Sequence, residues 1–545
     1  MEAKEHYGLH VTVKKALAIN PSATIRALGQ EILQLIDMKA CEPIQQADLK
    51  PSKTRSIIPA VPFMKDKYKP DGAFDKFKAR IAGGGNRMNP ATMAHVEVSS
   101  PTVDIASVNT CLTVAAHKGY GASTTDIKAA YLNASLPDSV DVVLIFDKIT
   151  AATLVNLRPE YKPYIRSDGT MLAQVKKALY GIPHAGQLWY THLSNTLMKA
   201  GYEMLKSDKC VFKKISPSGT SYICVHVDDL LHVFSDPKLD DQLQATLTKA
   251  YKEVNHERGD KLNYLGMVLE FDRKNKSAII KNPAYIRDIL LVHNINGYAI
   301  TPSDTNLLME DNTSARVDQT KFASMLMKLM YLGKRSRPDI LLPVTYLASR
   351  ITMCNQNDTN KLIRVYKYLN STQDKGLVLH ADTIKLTCFV DASYATHPDA
   401  RSHTGIILTI GSANCYSSVY NKSAKQKLVS RSSTEAELIA LNESLPQIIW
   451  LRNLLEELGY PQRQPTTIFQ DNKSTIIISN KGHSNKGNTK HMHVRYFYIK
   501  DKIDDKTVQL EHLPTELMLA DFFTKPLMGT QFTQLRDKLL GNTCG

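Results

Sequence analysis

The chain has 545 residues, of which 43% are hydrophobic and 22% are charged. This balance is typical of globular protein and excludes a disordered chain, and no run approaches the roughly 18 apolar residues of a membrane span. The formal net charge of +15 favours a polyanionic partner, nucleic acid before a membrane surface. At about 150 residues per domain, the length predicts three or four domains.

The N-terminus and the cysteines predict an intracellular location. The stretch "MEAKEHYGLH" has early acidic residues and no apolar core, so we expect no secretion signal. Eight cysteines are scattered without any C-x-x-C pair. That spacing disfavours a zinc ribbon or a dense disulfide framework and favours a reducing compartment.

The first part of the chain mixes helix and hairpin signals. Helical spacing continues through "EILQLIDM" at residues 31–38, and a Pro-rich segment at residues 43–62 predicts loop or extended chain. Two basic segments around a P-D-G turn at residues 64–85 predict a hairpin. The next helix is expected to end at Gly119, and a short strand then breaks after Asp126.

The middle of the chain leads into a second α/β region. "LAQVKKALYGIPHAGQLWYTHLSNTLMKAGY" predicts a strand, a glycine-containing turn and an amphipathic helix. "YICVHVDDLLHVF" at residues 222–234 predicts a hairpin, and a helix follows it. Residues 282–372 are mostly helical, and a new α/β pattern begins with "KLTCFVDASYA" at residues 385–395. The loop around residues 373–383 is the nearest feature to a boundary.

Asp228 and Asp229 lie side by side in an apolar, β-prone segment. Aspartate is depleted in strands and costly to bury without a partner. The pair by itself is consistent with a solvated turn or with a metal site. Asp126 lies at another strand end, and three carboxylates from two strand ends can hold two divalent ions. Oxygen ligands of this kind suit Mg²⁺.

Four further acids lie beside apolar neighbours at the ends of predicted elements. Asp391 follows a short strand, Glu437 is early in a helix, Asp471 ends a strand, and Asp521 is expected in the last helix. Singly, each is explained as well by a cap, a turn or a surface acid. Of the two glutamates in "TEAEL", Glu437 is the better metal ligand, because Glu435 is two positions away on the helix and faces elsewhere.

Several segments resemble the reverse transcriptases of copia-type LTR retrotransposons, that is, Pseudoviridae-like Pol polyproteins. They are "FKARIAGGG", "DIKAAYLN", "KKALYGIPHAGQLWY", "YLGM" and "LMKLMYLGKRSRPDI". The Asp–Glu–Asp–Asp order resembles ribonuclease H, and "SSTEAELIAL", "QDNKSTI" and "ADFFTKPL" again look copia-type. The resemblance covers about residues 25–540. It implies an α+β reverse transcriptase with fingers, palm and thumb, followed by an α/β ribonuclease H-like domain.

The resemblance also implies a domain order. The expected domains are an N-terminal extension (1–24), reverse transcriptase fingers and palm (25–285), a helical thumb or connection (286–384), a ribonuclease H-like domain (385–528) and a C-terminal tail (529–545). No D-[ST]-G protease motif, zinc knuckle or integrase-like His/Cys pattern occurs. We therefore expect either a processed product or a truncated reading frame.

The resemblance assigns two sets of catalytic metal ligands. These are Asp126, Asp228 and Asp229 for polymerisation, and Asp391, Glu437, Asp471 and Asp521 for RNA cleavage. Each active site is expected to take two Mg²⁺ ions, with Mn²⁺ as the alternative. The implied activity is RNA-directed DNA polymerase with linked ribonuclease H, copying a retrotransposon RNA template into DNA by two-metal phosphoryl transfer.

Four more residues are implied to contact nucleotide or template. Lys78 and Arg80 match basic residues near the triphosphate, although a solvated basic hairpin explains them about as well. Tyr131 matches the aromatic residue that packs under the sugar and excludes a 2′-hydroxyl, and an ordinary core tyrosine is the alternative. Gly181 matches the glycine that lets the backbone approach template and nucleotide, and a plain turn is its alternative.

Two positions depart from the family pattern. His226 stands where the family usually has tyrosine, and histidine is smaller, polar and titratable near neutral pH. The glycine run in "ARIAGGGNRMN" replaces a common basic residue and predicts a looser fingers loop. The alternative function is therefore a degenerate, element-derived nucleic-acid-binding protein with a weakened or inactive polymerase site.

The implied partners are nucleic acids and nucleotides. They are an RNA template, a DNA primer, an RNA–DNA hybrid and dNTPs, with an integrase from the same polyprotein as a further partner and no membrane. The implied location is a cytoplasmic virus-like particle or the nucleus.

Overall fold

The computed structural model describes residues 11–68, 74–93, 97–311, 313–481 and 490–541. The strands are β1 Val11–Thr12, β2 Cys41–Ile44, β3 Ser56–Tyr68, β4 Phe74–Gly83, β5 Gly121–Ile127, β6 Val142–Phe146, β7 Met171–Val175, β8 Glu203–Met204, β9 Val211–Ser216, β10 Gly219–His226, β11 Asp229–Phe234, β12 Val254–Arg258, β13 Lys261–Tyr264, β14 Met267–Asp272, β15 Ser277–Lys281, β16 Leu377–His380, β17 Leu386–Ser393, β18 His403–Gly411, β19 Tyr416–Lys425, β20 Thr466–Gln470 and β21 Val508–His512.

The α-helices connect and cover these strands. They are α1 Val13–Ile19, α2 Pro21–Asp37, α3 Pro90–Met93, α4 Ile105–Lys118, α5 Lys148–Leu157, α6 Ala185–Lys199, α7 Pro237–Tyr251, α8 Pro283–Val292, α9 Gln319–Gly333, α10 Leu341–Ala348, α11 Gln356–Ser371, α12 Ser433–Glu457, α13 Lys473–Lys481, α14 Lys490–Asp504 and α15 Gly529–Leu539. Within the described ranges, none of them combines the length and apolar composition that crossing a membrane requires.

The chain divides into two compact units. The first unit comprises residues 1–102, 126–201 and 245–255. The second comprises residues 103–125, 202–244 and 256–545. These divisions follow spatial packing and do not coincide with the boundaries expected at residues 285 and 384, which stay a prediction.

The first unit is built on a sheet with strand order β1-β3-β6-β7-β2, to which β4 adds by pairing with β3. Helix α2 covers this sheet by packing against β4. Asn20 begins α2 by accepting a hydrogen bond from the Ala23 N–H at 3.1 Å. Leu28, Ile32 and Leu35 then recur at helical spacing, and all three are buried.

Three further sheets lie wholly or mostly in the second unit. Their strand orders are β12-β5-β11-β10-β9-β8, β13-β14-β15-β16 and β19-β18-β17-β20-β21. In the third sheet β17, β18 and β19 are antiparallel neighbours, whereas β20 runs parallel to β17 and β21 runs parallel to β20. Helix α12 packs on β17 and β18. This mixed sheet with covering helices confirms the α/β domain expected in the last third of the chain.

Most of the predicted elements form. Strands β3 and β4 pair antiparallel as the predicted hairpin, whose P-D-G turn lies outside the described residues. Helix α4 ends at Gly119, which has the left-handed φ of 68°. The loop expected at residues 373–383 is wrong in part, because β16 forms within it and pairs with β15. The alternating burial of Leu377 and Leu379 explains this strand.

A buried ion pair joins the helices of the second unit. The Arg337 guanidinium donates to both oxygens of Asp339, at 2.9 and 2.8 Å. It also donates to the Thr372 carbonyl at 2.8 Å, and the Tyr368 hydroxyl donates to Asp339 at 2.7 Å. Arg337 and Asp339 are both buried. The pair therefore ties the segment after α9 to the end of α11.

Removing one charge of this pair is expected to be costly. Asp339→Asn should lower the free energy of unfolding by about 3–5 kcal/mol, because it leaves the Arg337 charge buried without compensation. Asp399→Asn is the control, since Asp399 pairs with Arg401 and Lys425 at a half-exposed site and should cost less than about 1 kcal/mol. Urea unfolding measures both, and equal losses would contradict the prediction.

Candidate active sites

The aspartate pair lies on a two-residue hairpin turn. His226 and Asp229 are cross-strand partners at the ends of β10 and β11, so Val227 and Asp228 form the turn. Val227 has a φ of +59°, and Asp228 does not have a positive φ. A positive φ at the first turn position favours glycine over valine. The predicted hairpin is confirmed, and it presents its aspartates from a strained turn.

A second tight turn is anchored on the same hairpin. The "YLGM" segment connects β13 to β14, and both Leu265 and Gly266 have positive φ. The Tyr264 hydroxyl donates to the Cys224 carbonyl in β10 at 3.2 Å. The Tyr331 hydroxyl donates to the Leu265 carbonyl at 2.8 Å. This turn is therefore fixed against the strand that leads to the aspartates.

His226 is half-buried beside a cationic side chain. Burial is the largest cause that lowers its pKa, and the positive charge of Arg335 lowers it further. Arg335 stacks on the Tyr331 ring at 4.1 Å. A backbone hydrogen bond and the charge of Asp228 oppose this lowering of the pKa.

Asp126 lies in β5 and belongs to the first unit, whereas Asp228 and Asp229 belong to the second. Within its unit, Asp126 accepts a hydrogen bond from Asn255 Nδ2 at 3.1 Å. The joint metal site of the three acids stays a prediction.

Two of the predicted nucleotide contacts, Arg80 and Tyr131, meet around one tyrosine in the first unit. Arg80 pairs with Glu31 at 3.1 Å and lies over the Tyr180 ring at 5.4 Å. The Tyr131 ring packs edge-on against Tyr180, with 4.6 Å between centroids. Burial raises the pKa of Glu31, and the charges of Arg80 and Lys78 oppose that rise. The fingers strand and the Tyr131 turn therefore share a charged, aromatic surface.

Sequence reasoning missed Glu31 and Tyr180 as members of this cluster. Glu31 could have been noticed, because it is an acid on the apolar stripe of α2 and is buried there. Tyr180 could also have been noticed, because it directly precedes Gly181, one of the predicted template contacts.

The glycine run is a site of close backbone packing. Gly181 has a φ of +84°, and a Cβ there would lie 2.2 Å from the Gly83 carbonyl oxygen. A Cβ on Gly85 would lie 2.0 Å from the Gly181 carbonyl oxygen. The Gly83 N–H also donates to the Tyr180 carbonyl at 2.7 Å. The expectation of a looser fingers loop is therefore wrong, because only glycine allows this contact.

Three of the predicted ribonuclease acids meet in the second unit. Carboxylate oxygens of Asp391, Asp471 and Asp521 all lie within 4.8 Å of one another. Asp391 is near the end of β17, and Asp471 directly follows the parallel strand β20. Carboxyl ends of parallel strands meet at one sheet edge, which explains the convergence. We call these three residues and Glu437 the carboxylate cluster.

Glu437 completes the cluster from helix α12. Its carboxylate accepts a hydrogen bond from Gln470 Nε2 at 3.2 Å. Burial and the charges of Asp391 and Asp471 raise the pKa of Glu437 well above its usual value. Glu435 instead accepts from the Arg431 N–H at the start of α12. The two glutamates therefore separate as expected, one facing the cluster and one capping the helix.

Asp521 is not in the last helix. It lies in a short 3-10 turn, Leu519–Phe523, and the last helix, α15, begins only at Gly529. Pro526 follows within a few residues and cannot continue a helix. The turn still brings Asp521 to the carboxylate cluster. Only the helix predicted for this residue is wrong.

The cluster holds an excess of buried negative charge. Burial raises the pKa of Asp391. Burial and then the charge of Asp391 raise the pKa of Asp521 to about 7. Hydrogen bonds partly offset this, since Thr524 donates to Asp391 and Thr515 Oγ1 donates to Asp471 at 2.9 Å. Such a set of hard oxygen donors suits a divalent cation of the Mg²⁺ type.

Lys525 and Thr524 belong to this site and were missed by sequence reasoning. Lys525 Nζ lies 2.8 Å from Asp521 Oδ1. The spacing of four residues between Asp521 and Lys525 was a readable signal, because such residues come close on any helical turn.

The strain at Val227 is testable. Val227→Gly should leave stability unchanged or raise it by up to about 1 kcal/mol, because glycine adopts positive φ without a Cβ clash. Val225→Gly is the matched control, since Val225 is buried in the same strand and should lose about 2 kcal/mol or more. Urea unfolding distinguishes them, and a comparable loss in both variants would argue against strain in the turn.

Comparisons with known proteins found one family model and several relatives that match this chain. Residues 49–303 match the family described as "Reverse transcriptase (RNA-dependent DNA polymerase)". The retrovirus-related Pol polyprotein from transposon RE1 of Arabidopsis thaliana is 28% identical over 481 residues, covering 87% of this chain and 31% of that protein. The Ty1-H Gag-Pol polyprotein of Saccharomyces cerevisiae is 25% identical over 537 residues, covering 94% and 28%.

A solved foamy viral protease–reverse transcriptase in complex with double-stranded DNA is 11% identical, with a TM-score of 0.49 and coverage of 89% of this chain and 69% of that chain. The chain spans about a third of the length of the curated relatives it matches. Residues 49–303 are thus similar to the reverse transcriptase family, and most of the chain is similar to the Pol polyproteins of the RE1 and Ty1-H transposons.

Proposed function

We propose that the chain is an RNA-directed DNA polymerase with a linked ribonuclease H, and that it copies a retrotransposon RNA template into DNA. The observation that carries the proposal is one chain in which a reverse transcriptase domain at residues 49–303 is followed by the carboxylate cluster. A polymerase that copies RNA leaves an RNA–DNA hybrid, and a nuclease in the same chain would remove its RNA strand.

Each activity would use two Mg²⁺ ions, with Mn²⁺ as the alternative. When bound, such ions would activate the attacking hydroxyl or water and stabilise the charge that develops on the leaving oxygen. The carboxylate cluster supports this proposal, because its oxygens converge within 4.8 Å for three of the four acids. Asp126, Asp228 and Asp229 would be the ligands of the polymerase site.

The other predicted residues would position the nucleotide and the template. Lys78 and Arg80 would contact the triphosphate, and Arg80 would exchange its Glu31 partner for phosphate oxygens. Tyr131, supported by Tyr180, would pack under the sugar. Gly181 would let the backbone approach the template, a role that its tight contact with the fingers strand supports.

The proposed partners are an RNA template, a DNA primer, their hybrid and dNTPs, with an integrase from the same polyprotein as a further partner. A net charge of +15 suits a duplex that is recognised largely through its phosphate backbone and shape. The proposed location is a cytoplasmic virus-like particle or the nucleus.

Single ligand variants test whether the two activities are separate. Asp228→Asn should lower primer extension on poly(rA)·oligo(dT) with Mg²⁺ by about a hundredfold or more, because it removes a charge that holds the metal. Cleavage of the RNA strand in a labelled hybrid should be unchanged. Asp391→Asn should have the opposite effect, so each variant serves as the control of the other.

The outcomes of this assay separate the proposal from its rivals. Absence of extension by well-folded wild-type protein would refute the polymerase. Retained cleavage in that case would leave a ribonuclease joined to an inactive polymerase half. Loss of both activities, with retained binding to template–primer, would support the degenerate nucleic-acid-binding alternative.

The effect of His226 can be measured separately. His226→Tyr should lower the KM for template–primer by about fivefold, because a larger aromatic ring adds contact worth about 1 kcal/mol at the primer side of the turn. His226→Ala should raise it. Steady-state extension kinetics give the answer, with hybrid cleavage as the control. If tyrosine weakened binding, His226 would be the adapted residue at this position.

A further inference from the structure

Lys525 places its ammonium at the entrance of the carboxylate cluster. Its Nζ lies 2.8 Å from Asp521 Oδ1 and 3.9 Å from Asp391 Oδ1. The side chains of the two aspartates are only 1% and 2% exposed, whereas that of Lys525 is 37% exposed. The Lys525 side chain therefore reaches both the buried anions and solvent.

The backbone that carries Lys525 is fixed. The Lys525 N–H donates to the Asp521 carbonyl at 2.9 Å. Thr524 donates its hydroxyl to Asp391, and its carbonyl accepts from Ser393 Oγ at 2.9 Å. With the backbone held on both sides, only the flexible four-carbon stem of Lys525 is able to move the charge.

A divalent ion and Lys525 would need the same carboxylates. The carboxylates of Asp391 and Asp521 are the two that Lys525 contacts, and both belong to the set that converges with Asp471. Two cations this close repel each other, and the repulsion grows where water is excluded. Occupancy of that side of the cluster by the ammonium and by a metal ion is therefore competitive.

We propose that Lys525 is the resident counter-ion of the carboxylate cluster. In the metal-free chain it takes the place of one divalent ion between Asp391 and Asp521, and metal binding displaces it toward solvent. The inference rests on the proposed ribonuclease function, and it makes Lys525 a positioning residue that sets the metal affinity of the site.

The test is divalent-ion binding by the full chain without nucleic acid. Calorimetric titration with Mg²⁺, repeated with Mn²⁺, is carried out in an Asp228→Asn background. This change weakens the proposed polymerase metal site, so the heat of binding comes from the carboxylate cluster. Lys525→Met should bind the first ion about tenfold more tightly, because a competing charge is removed. Its metal-free melting temperature should fall, and Mg²⁺ should raise that temperature more than in the parent protein.

Two further variants make the result specific. Lys525→Arg keeps a charge at the same place and should retain the parent metal affinity and metal-free stability. Lys422→Met is the matched control, because Lys422 pairs with Glu443 at 3.0 Å and both side chains are 30% exposed. It should leave metal affinity unchanged, and an equal gain in this control would overturn the proposal by showing a general effect of charge.

The remaining outcomes separate this inference from the proposed function. If the parent protein binds Mg²⁺ and Lys525→Met binds it no more tightly, the counter-ion role is overturned while the ribonuclease function stands. If neither the parent nor any Lys525 variant binds a divalent ion, the metal site itself is refuted, and both proposals fail together.

Discussion

Mutual repulsion of buried carboxylates is the constraint on which the C-terminal site depends. Three acids meet at one sheet edge with Glu437 of α12 beside them, and burial raises the pKa of Asp391, Glu437 and Asp521. Such a concentration of charge is unfavourable unless donors or cations compensate it. The threonine, glutamine and lysine donors around the cluster supply part of that compensation. A site of this kind is least stable when nothing is bound, and that property favours capture of a cation.

The N-terminal sites depend on backbone approach instead of buried charge. The backbones at Gly83, Gly85 and Gly181 lie so close that a Cβ on Gly85 or Gly181 would not fit. At the aspartate hairpin, Val227 accepts a positive φ that glycine would adopt more easily. The glycine contacts and the positive φ of Val227 both lower local stability while they fix the position of nearby residues. Such strain is common at functional sites. A valine at the strained position also keeps a side chain beside the aspartates.

Local patterns in the sequence predicted most elements, because apolar spacing, turn residues and caps act over short distances. The hairpin around Asp228 and the helix ending at Gly119 are examples. Contacts between distant segments were not predictable in this way. The pairing of Arg80 with Glu31 joins a strand and a helix through residues 49 positions apart, and no local period encodes it. A helix is wrong at Asp521 because Pro526, a few residues later, interrupts the helical pattern.

A single long helix links the two candidate sites of the second unit. The Tyr222 hydroxyl, in the strand that leads to the aspartate turn, donates to the Leu458 carbonyl at 2.7 Å. Leu458 caps the end of α12, and Glu437 lies near the start of the same helix. At 1.5 Å per residue, the helix separates Leu458 from Glu437 by roughly 30 Å. Helix geometry, and not a flexible linker, therefore sets the spacing between the hairpin strand and Glu437.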